Sequence, residues 1–263
     1  MTTNTPLTVR RSARSRGLLA LGSAMASALL LLAGSTQAHA IVGGYEAKPL
    51  QFPSVLALQK NGQLICGATL IKPGWAVTSA ACTSGSAPGQ LKVVSGALAL
   101  TDLSLPGITT MQVAQIIQHP DYFAGNAQNN IALIKLKTPL VAVPAALPPS
   151  GATFTGTATA VGWGATREGG QPSPTLRYVN TQVVPRAKCR AQYDDASIAD
   201  SMICAGVDGG GKGTCKGDGG GPLYKNGALI GIMSHGGGCA RAGLSDILTN
   251  VASFRTWIDT KTA

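Results

Sequence analysis

The sequence predicts an all-β protein finished by one C-terminal α-helix. Glycine and proline number 34 and 15 in 263 residues, against 5% aromatics, a balance that suits short strands and many turns. Short apolar segments recur between turn residues from position 54 to position 250. The last apolar residues, Val251, Phe254, Trp257 and Ile258, fall at helical spacing instead.

The first 40 residues read as an export signal. Arg10, Arg11, Arg14 and Arg16 make a basic start, residues 17–34 are apolar and small, and Ala38-His39-Ala40 fits a small-x-small cleavage site. The apolar core is short for a membrane span, so no transmembrane segment is expected once the signal is removed. Removal also lowers the charge. The whole chain carries 21 Lys+Arg against 11 Asp+Glu; without the four signal arginines the balance is 17 to 11, or +6. Weak attraction to anionic surfaces is compatible with that field. No nucleic-acid motif or polybasic run occurs, and the cluster Arg186, Lys188, Arg190 is followed by acids, as on a solvated face.

The mature region is punctuated in order. Strands are expected at 54–59 and 63–68 around Asn61-Gly62, a strong hairpin signal, then at 75–79, 91–95, 111–118 and 131–135. Residues 138–151 hold Pro139, Pro144, Pro148 and Pro149 and read as a linker between two halves. Strands follow at 155–162, 176–184, 228–233 (after a second hairpin signal, Asn226-Gly227) and 247–250. Six cysteines in an exported chain predict three disulfides, with 15 pairings open. No C-x-x-C or His-rich spacing suggests a metal, and no cofactor motif is present.

A dispersed, ordered set of motifs spans residues 41–263. It comprises IVGG from Ile41, CGATLI from Cys66, WAVTSAAC ending at Cys82, HPDY from His119, NNIALIKL from Asn129, GWG from Gly162, the Cys189/Cys204 pair, GDGGGP from Gly217 and SHGGGCA from Ser234. On these residues the chain resembles the trypsin-like (chymotrypsin-fold) serine proteases. The resemblance implies two six-stranded antiparallel β-barrels with a cleft between them, over about 41–145 and 146–250, and a C-terminal helix over about 251–262. It selects the pairs Cys66–Cys82, Cys189–Cys204 and Cys215–Cys239. The loop at 96–107, where the family carries calcium ligands, holds only Asp102, so no metal site is expected.

The resemblance also assigns the site. Peptide hydrolysis in this family uses a serine, a histidine and an aspartate. Gly219 stands at the serine position, Ala81 at the histidine position and Asn130 at the aspartate position. Gly217 and Gly219 match the oxyanion-hole residues. Asp218 matches the acid that pairs with the amine freed at Ile41, here by cleavage after Ala40. The pocket would be lined by Gly213, Thr214, Lys216, Ser234, His235, Gly236 and Asp246. Gly213 lies where trypsin-like members carry the acid that recognises Lys or Arg, while Asp246 brings a carboxylate from the opposite wall. A substitute catalytic pair is not expected: His119 reads as a solvated loop residue, and Ser234 and His235, adjacent on a strand, should face opposite ways. The expectation is a secreted (extracellular or periplasmic), catalytically inactive protease homologue that acts as a binding or regulatory protein, with a protein or peptide ligand in its cleft. The alternative is an endopeptidase with non-standard catalytic residues.

Overall fold

The computed structural model describes residues 41–193 and 198–263, so the expected export signal lies outside the described residues. A two-residue strand, β1 (Tyr45–Glu46), opens the fold. The first barrel follows: β2 (Val55–Lys60), β3 (Gln63–Lys72), β4 (Trp75–Thr78), β5 (Leu91–Ser95), β6 (Thr109–Gln118) and β7 (Ala132–Leu136). They close in the order β2-β3-β4-β7-β6-β5, every pair antiparallel. Six further strands are β8 (Gly156–Gly162), β9 (Arg177–Val184), β10 (Met202–Gly206), β11 (Pro222–Lys225), β12 (Ala228–His235) and β13 (Asp246–Asn250). β9 pairs with both β8 and β10, so the ring β8-β9-β10-β13-β12-β11 also closes, and β1 is added outside on β9. The fold is thus two six-stranded antiparallel barrels with a short C-terminal helix.

Local chemistry explains the tight hairpins. Asn61 and Gly62 sit at φ 53° and 78°, and Asn226 and Gly227 at 49° and 78°. Two successive left-handed residues make the turn whose twist matches antiparallel strands, and Asn-Gly adopts it at least strain. Along β2 the side chains alternate between two cores. Leu56 and Leu58 fill the first barrel with Leu70, Val93 and Ile134, while Val55 and Ala57 join Val77, Leu133, Trp163 and Ile232 in the cluster shared by both halves. Each fully buried Leu or Ile contributes roughly 1.5–3 kcal/mol.

The segment expected as a linker is strapped down. Leu140 N–H donates to Pro73 O and Ala145 N–H to Leu70 O, both over 2.8 Å, and Ala146 bridges Ala228 in parallel. The charges at 186–190 lie on a helix, α1 (Arg186–Gln192), started by Pro185; Arg186 and Arg190 pair with Asp200, and Lys188 reaches Asp208 at 2.6 Å. The bounds expected for the C-terminal helix need correction. The C-terminal helix, α2 (Arg255–Lys261), begins four residues after 251, because Val251–Phe254 forms a 3-10 turn capped by the Asn250 side chain.

Disulfides join Cys66 to Cys82, Cys189 to Cys204 and Cys215 to Cys239, with Cα–Cα separations of 6.0, 6.3 and 4.7 Å. Among the described residues, no helix is long and apolar enough to cross a membrane.

Candidate functional site

The barrels meet along a seam of glycines and small polar groups. A Cβ on Gly67 would stand 2.6 Å from Gly221 Cα, so glycine here permits backbone to cross backbone. Gly67 N–H donates to Gly219 O over 2.8 Å, and Thr78 Oγ1 donates to Gly67 O over 2.7 Å. This anchors the loop 215–222 on the first barrel. Within the loop Gly217 holds φ 101° and Gly220 φ 76°, values open to glycine. The turns Asp218 N–H to Cys215 O and Gly221 N–H to Asp218 O fold it tightly. Among the described residues, the N–H groups of Gly217 and Gly219 have no partner.

Asp218 is driven inward by these turns and is 1% exposed. Its carboxylate accepts from Gly164 N–H at 2.8 Å and Cys215 N–H at 2.9 Å. Any Cβ on Gly162 or Gly164 would overlap it, which gives the GWG motif a steric reason. Burial pushes the Asp218 carboxyl up to about 7, against the pull of those two N–H donors. Ile41 is fully buried and keeps φ 50°, and its nitrogen is a peptide nitrogen in the intact chain, so it supplies no charge to Asp218 here.

Ala81, Asn130 and Ser234 are linked in series. Ala81 N–H donates to Asn130 Oδ1 at 2.9 Å, and Asn130 Nδ2 donates to Ser234 Oγ at 2.8 Å. Asn130 is 2% exposed, and its own carbonyl accepts from Thr249 Oγ1 at 2.8 Å, tying the barrels together. The chain continues, against expectation, into His235: Ser234 Oγ and His235 Nδ1 lie 3.1 Å apart. The register of β12 on β13 shifts between Met233 and His235. That bulge breaks the alternation that would have separated the two side chains.

A cavity of about 370 Å³ lies beside this series, lined by Thr214, Lys216, Gly217, Gly219, Ser234, His235, Gly236 and Asp246 among others. Asp246 Oδ2 accepts from Thr214 N–H at 2.7 Å. Burial pushes its carboxyl up to about 6, opposed by Thr214. Gly213 is buried behind it, and a Cβ there would come within 3.0 Å of Asp246 Oδ2. The two positions are therefore sterically linked, with the carboxylate entering from the β13 side.

The family model described as Trypsin matches residues 41–258. The chain belongs to the trypsin family. It is 37% identical over 233 residues to "Trypsin-1" of Astacus astacus, covering 83% of this chain and 98% of that one. It is 36% identical over 218 residues to "Trypsin" of Saccharopolyspora erythraea, covering 81% and 94%. "Trypsin, alkaline C" of Manduca sexta is 33% identical over 255 residues, covering 92% and 96%.

Other groups of this trypsin-family chain lie apart from the cavity. His119 is not a freely solvated loop residue. Its ring packs 5.1 Å from Phe254 and 5.0 Å from Trp257, and burial lowers its proton affinity. Its neighbours are the aromatics of the C-terminal segment, so it helps seat that segment. Asp102, in the loop 96–107, turns on itself: its Oδ1 accepts from both Ser104 N–H and Ser104 Oγ. Among the described residues, no group of three His, Cys, Asp or Glu side chains could hold a metal. Sequence reasoning missed Tyr193, whose hydroxyl accepts from Gly237 N–H at 3.2 Å and donates to Ser245 O, tying the residue before Asp246 to the Gly237 loop. Nothing in the local pattern marks it, because its partners lie about 50 residues on.

Proposed function

We propose that this trypsin-family protein is exported and acts by binding a protein or peptide through its cleft, without hydrolysing it by the family's triad. What supports the reading is the set Ala81, Asn130 and Gly219 at the three triad positions. Gly219 offers no nucleophile, Ala81 no base, and Asn130 is already committed through both ends of its amide. The cavity beside them retains a carboxylate, Asp246, and two N–H groups without a partner among the described residues. A basic side chain or amine entering the cavity would meet Asp246, and a carbonyl would meet Gly217 and Gly219.

Two measurements test this. Calorimetric titration with benzamidine should give binding that Asp246→Ala weakens at least about tenfold, the effect of removing a charge-assisted partner. Equal affinity in both proteins would end the assignment of Asp246. Hydrolysis of a mixed peptide library should be absent from the wild type and present in the triple variant Ala81→His, Asn130→Asp, Gly219→Ser. A Cβ on Gly219 meets nothing within 4 Å, so the serine has room. The trypsin names of the relatives favour the second reading, an active endopeptidase. Wild-type turnover that survives repurification would establish it in place of the first.

A further inference from the structure

We propose that Ser234 is a nucleophile with His235 as its base, able to take an acyl group from small activated esters. The inference is independent of amine binding at Asp246, and it describes chemistry at a serine outside the triad positions.

The argument begins with an amide whose orientation is fixed. Ala81 N–H can only donate, so the Asn130 atom facing it is the carbonyl oxygen, and Nδ2 must face Ser234. Ser234 Oγ therefore accepts from Asn130 and keeps its own proton for another partner. The acceptor in reach is His235 Nδ1, at 3.1 Å. Nδ1 accepts only when the ring is neutral with its proton on Nε2, and the pocket walls disfavour the charged ring. An aspartate at 130 would reverse this polarity, because a carboxylate only accepts and would draw the Ser234 proton to itself. Asparagine thus directs the hydroxyl towards a base that the β12 bulge has brought alongside.

The surroundings suit acyl transfer. Ser234 and His235 line the same cavity as Gly217 and Gly219, whose N–H groups are unpartnered among the described residues. Ser234 is partly exposed, with only a methyl side chain, that of Ala81, at the position where the family carries its histidine. In the step, Ser234 Oγ bonds to the acyl carbon as its proton passes to His235 Nδ1. The carbonyl electron pair moves onto oxygen, within the cavity that the glycine N–H groups also line. Collapse of the adduct breaks the bond to the leaving oxygen, releasing the aryloxide and leaving acyl-Ser234; His235 returns its proton to solvent. Water then attacks the acyl carbon, His235 takes one of its protons, and Ser234 recovers its own as the acid leaves. An aryloxide departs unprotonated. A peptide amine leaves only once it has gained a proton, a further demand on the single imidazole of His235. The chemistry therefore selects activated esters over peptides.

The test treats purified protein with p-nitrophenyl acetate, follows nitrophenolate release, and maps the acetyl group by peptide mass spectrometry. The expected result is a burst followed by slow turnover, with acetyl on the peptide containing Ser234. Ser234→Ala should abolish the adduct, and His235→Gln and Asn130→Asp should each slow its formation about a hundredfold, the scale of general-base assistance. Melting temperatures monitor folding of the variants, and the wild-type map stands without them. Acetyl found on lysines alone, or a Ser234 adduct formed at the wild-type rate in both His235→Gln and Asn130→Asp, would overturn the proposal. Loss of benzamidine binding with retained Ser234 acetylation would remove only the Asp246 reading.

Discussion

Asn130 donates its Nδ2 to Ser234 Oγ over 2.8 Å while its Oδ1 holds Ala81 N–H at 2.9 Å. One buried amide thus fixes both the backbone turn at Ala81 in the first barrel and a hydroxyl of the second barrel. Asn130→Ala should destabilise the protein by about 1–3 kcal/mol, the usual cost of stranding polar partners at a partly buried site. Urea unfolding measures it. A change within a few tenths of a kcal/mol would mean that water replaces the amide freely.

Binding of an amidine should depend on pH through Asp246, whose carboxyl is raised to about 6. The cation needs the ionised form, so affinity should rise by up to about tenfold per pH unit below that value and level off above about pH 7. His235, which also lines the cavity, acts in the same direction, since its protonation would repel the ligand. In Asp246→Ala the steep rise should disappear, as titration calorimetry from pH 5 to 8 would show.

Stability should fall between about pH 4 and 7 while Ile41 remains in peptide linkage. Asp218 and Asp246 bind protons more tightly in the folded chain, at about 7 and about 6, than when unfolded. Their stabilising contribution is complete below the unfolded value near 4 and is lost as pH rises through the folded values. Cleavage after Ala40 should change this slope. The freed amine would pair with ionised Asp218, adding stability that is full below about pH 8, the unfolded amine value, and lost as pH rises through the raised folded one. Urea midpoints of the full-length and Ile41-initiated proteins across pH 4 to 9 compare the two. Identical slopes would show that no pair forms.

Adjacent glycines should respond very differently to substitution. Gly220 has φ 76°, and a Cβ there would overlap Thr78 Oγ1 and lie 2.5 Å from Gly67 O. Gly220→Ala should cost about 3–5 kcal/mol from backbone strain and overpacking together. Gly219→Ala, with open space around its Cβ, should cost less than about 1 kcal/mol. Equal losses in denaturant melts would mean that the loop position is set by something other than the Gly67 contact.

Much of the fold was legible locally. The Asn-Gly turns and the alternating segments located most strands to within two residues at their starts, because hairpin geometry and period-two burial are properties of neighbouring residues. β10 and α1 were not legible. β10 is buried along its whole length, so it shows no alternation, and the charges of α1 mark a solvated face without saying which element carries it. The Ser234–His235 contact was misjudged for a similar reason: a bulge is set by the partner strand, which the local pattern does not reveal.

By itself, the sequence determined which side chains are available. It places no hydroxyl at 219 and no imidazole at 81, and it puts an amide at 130 and a carboxylate at 246. Tertiary structure decided what those groups do to one another. Asn130 reaches Ser234 from 104 positions away, and Asp246 fills the space beside Gly213 from 33 positions on. Hydrogen-bond polarity and burial are relations between groups that the two barrels bring together, so they exist only once both barrels have closed.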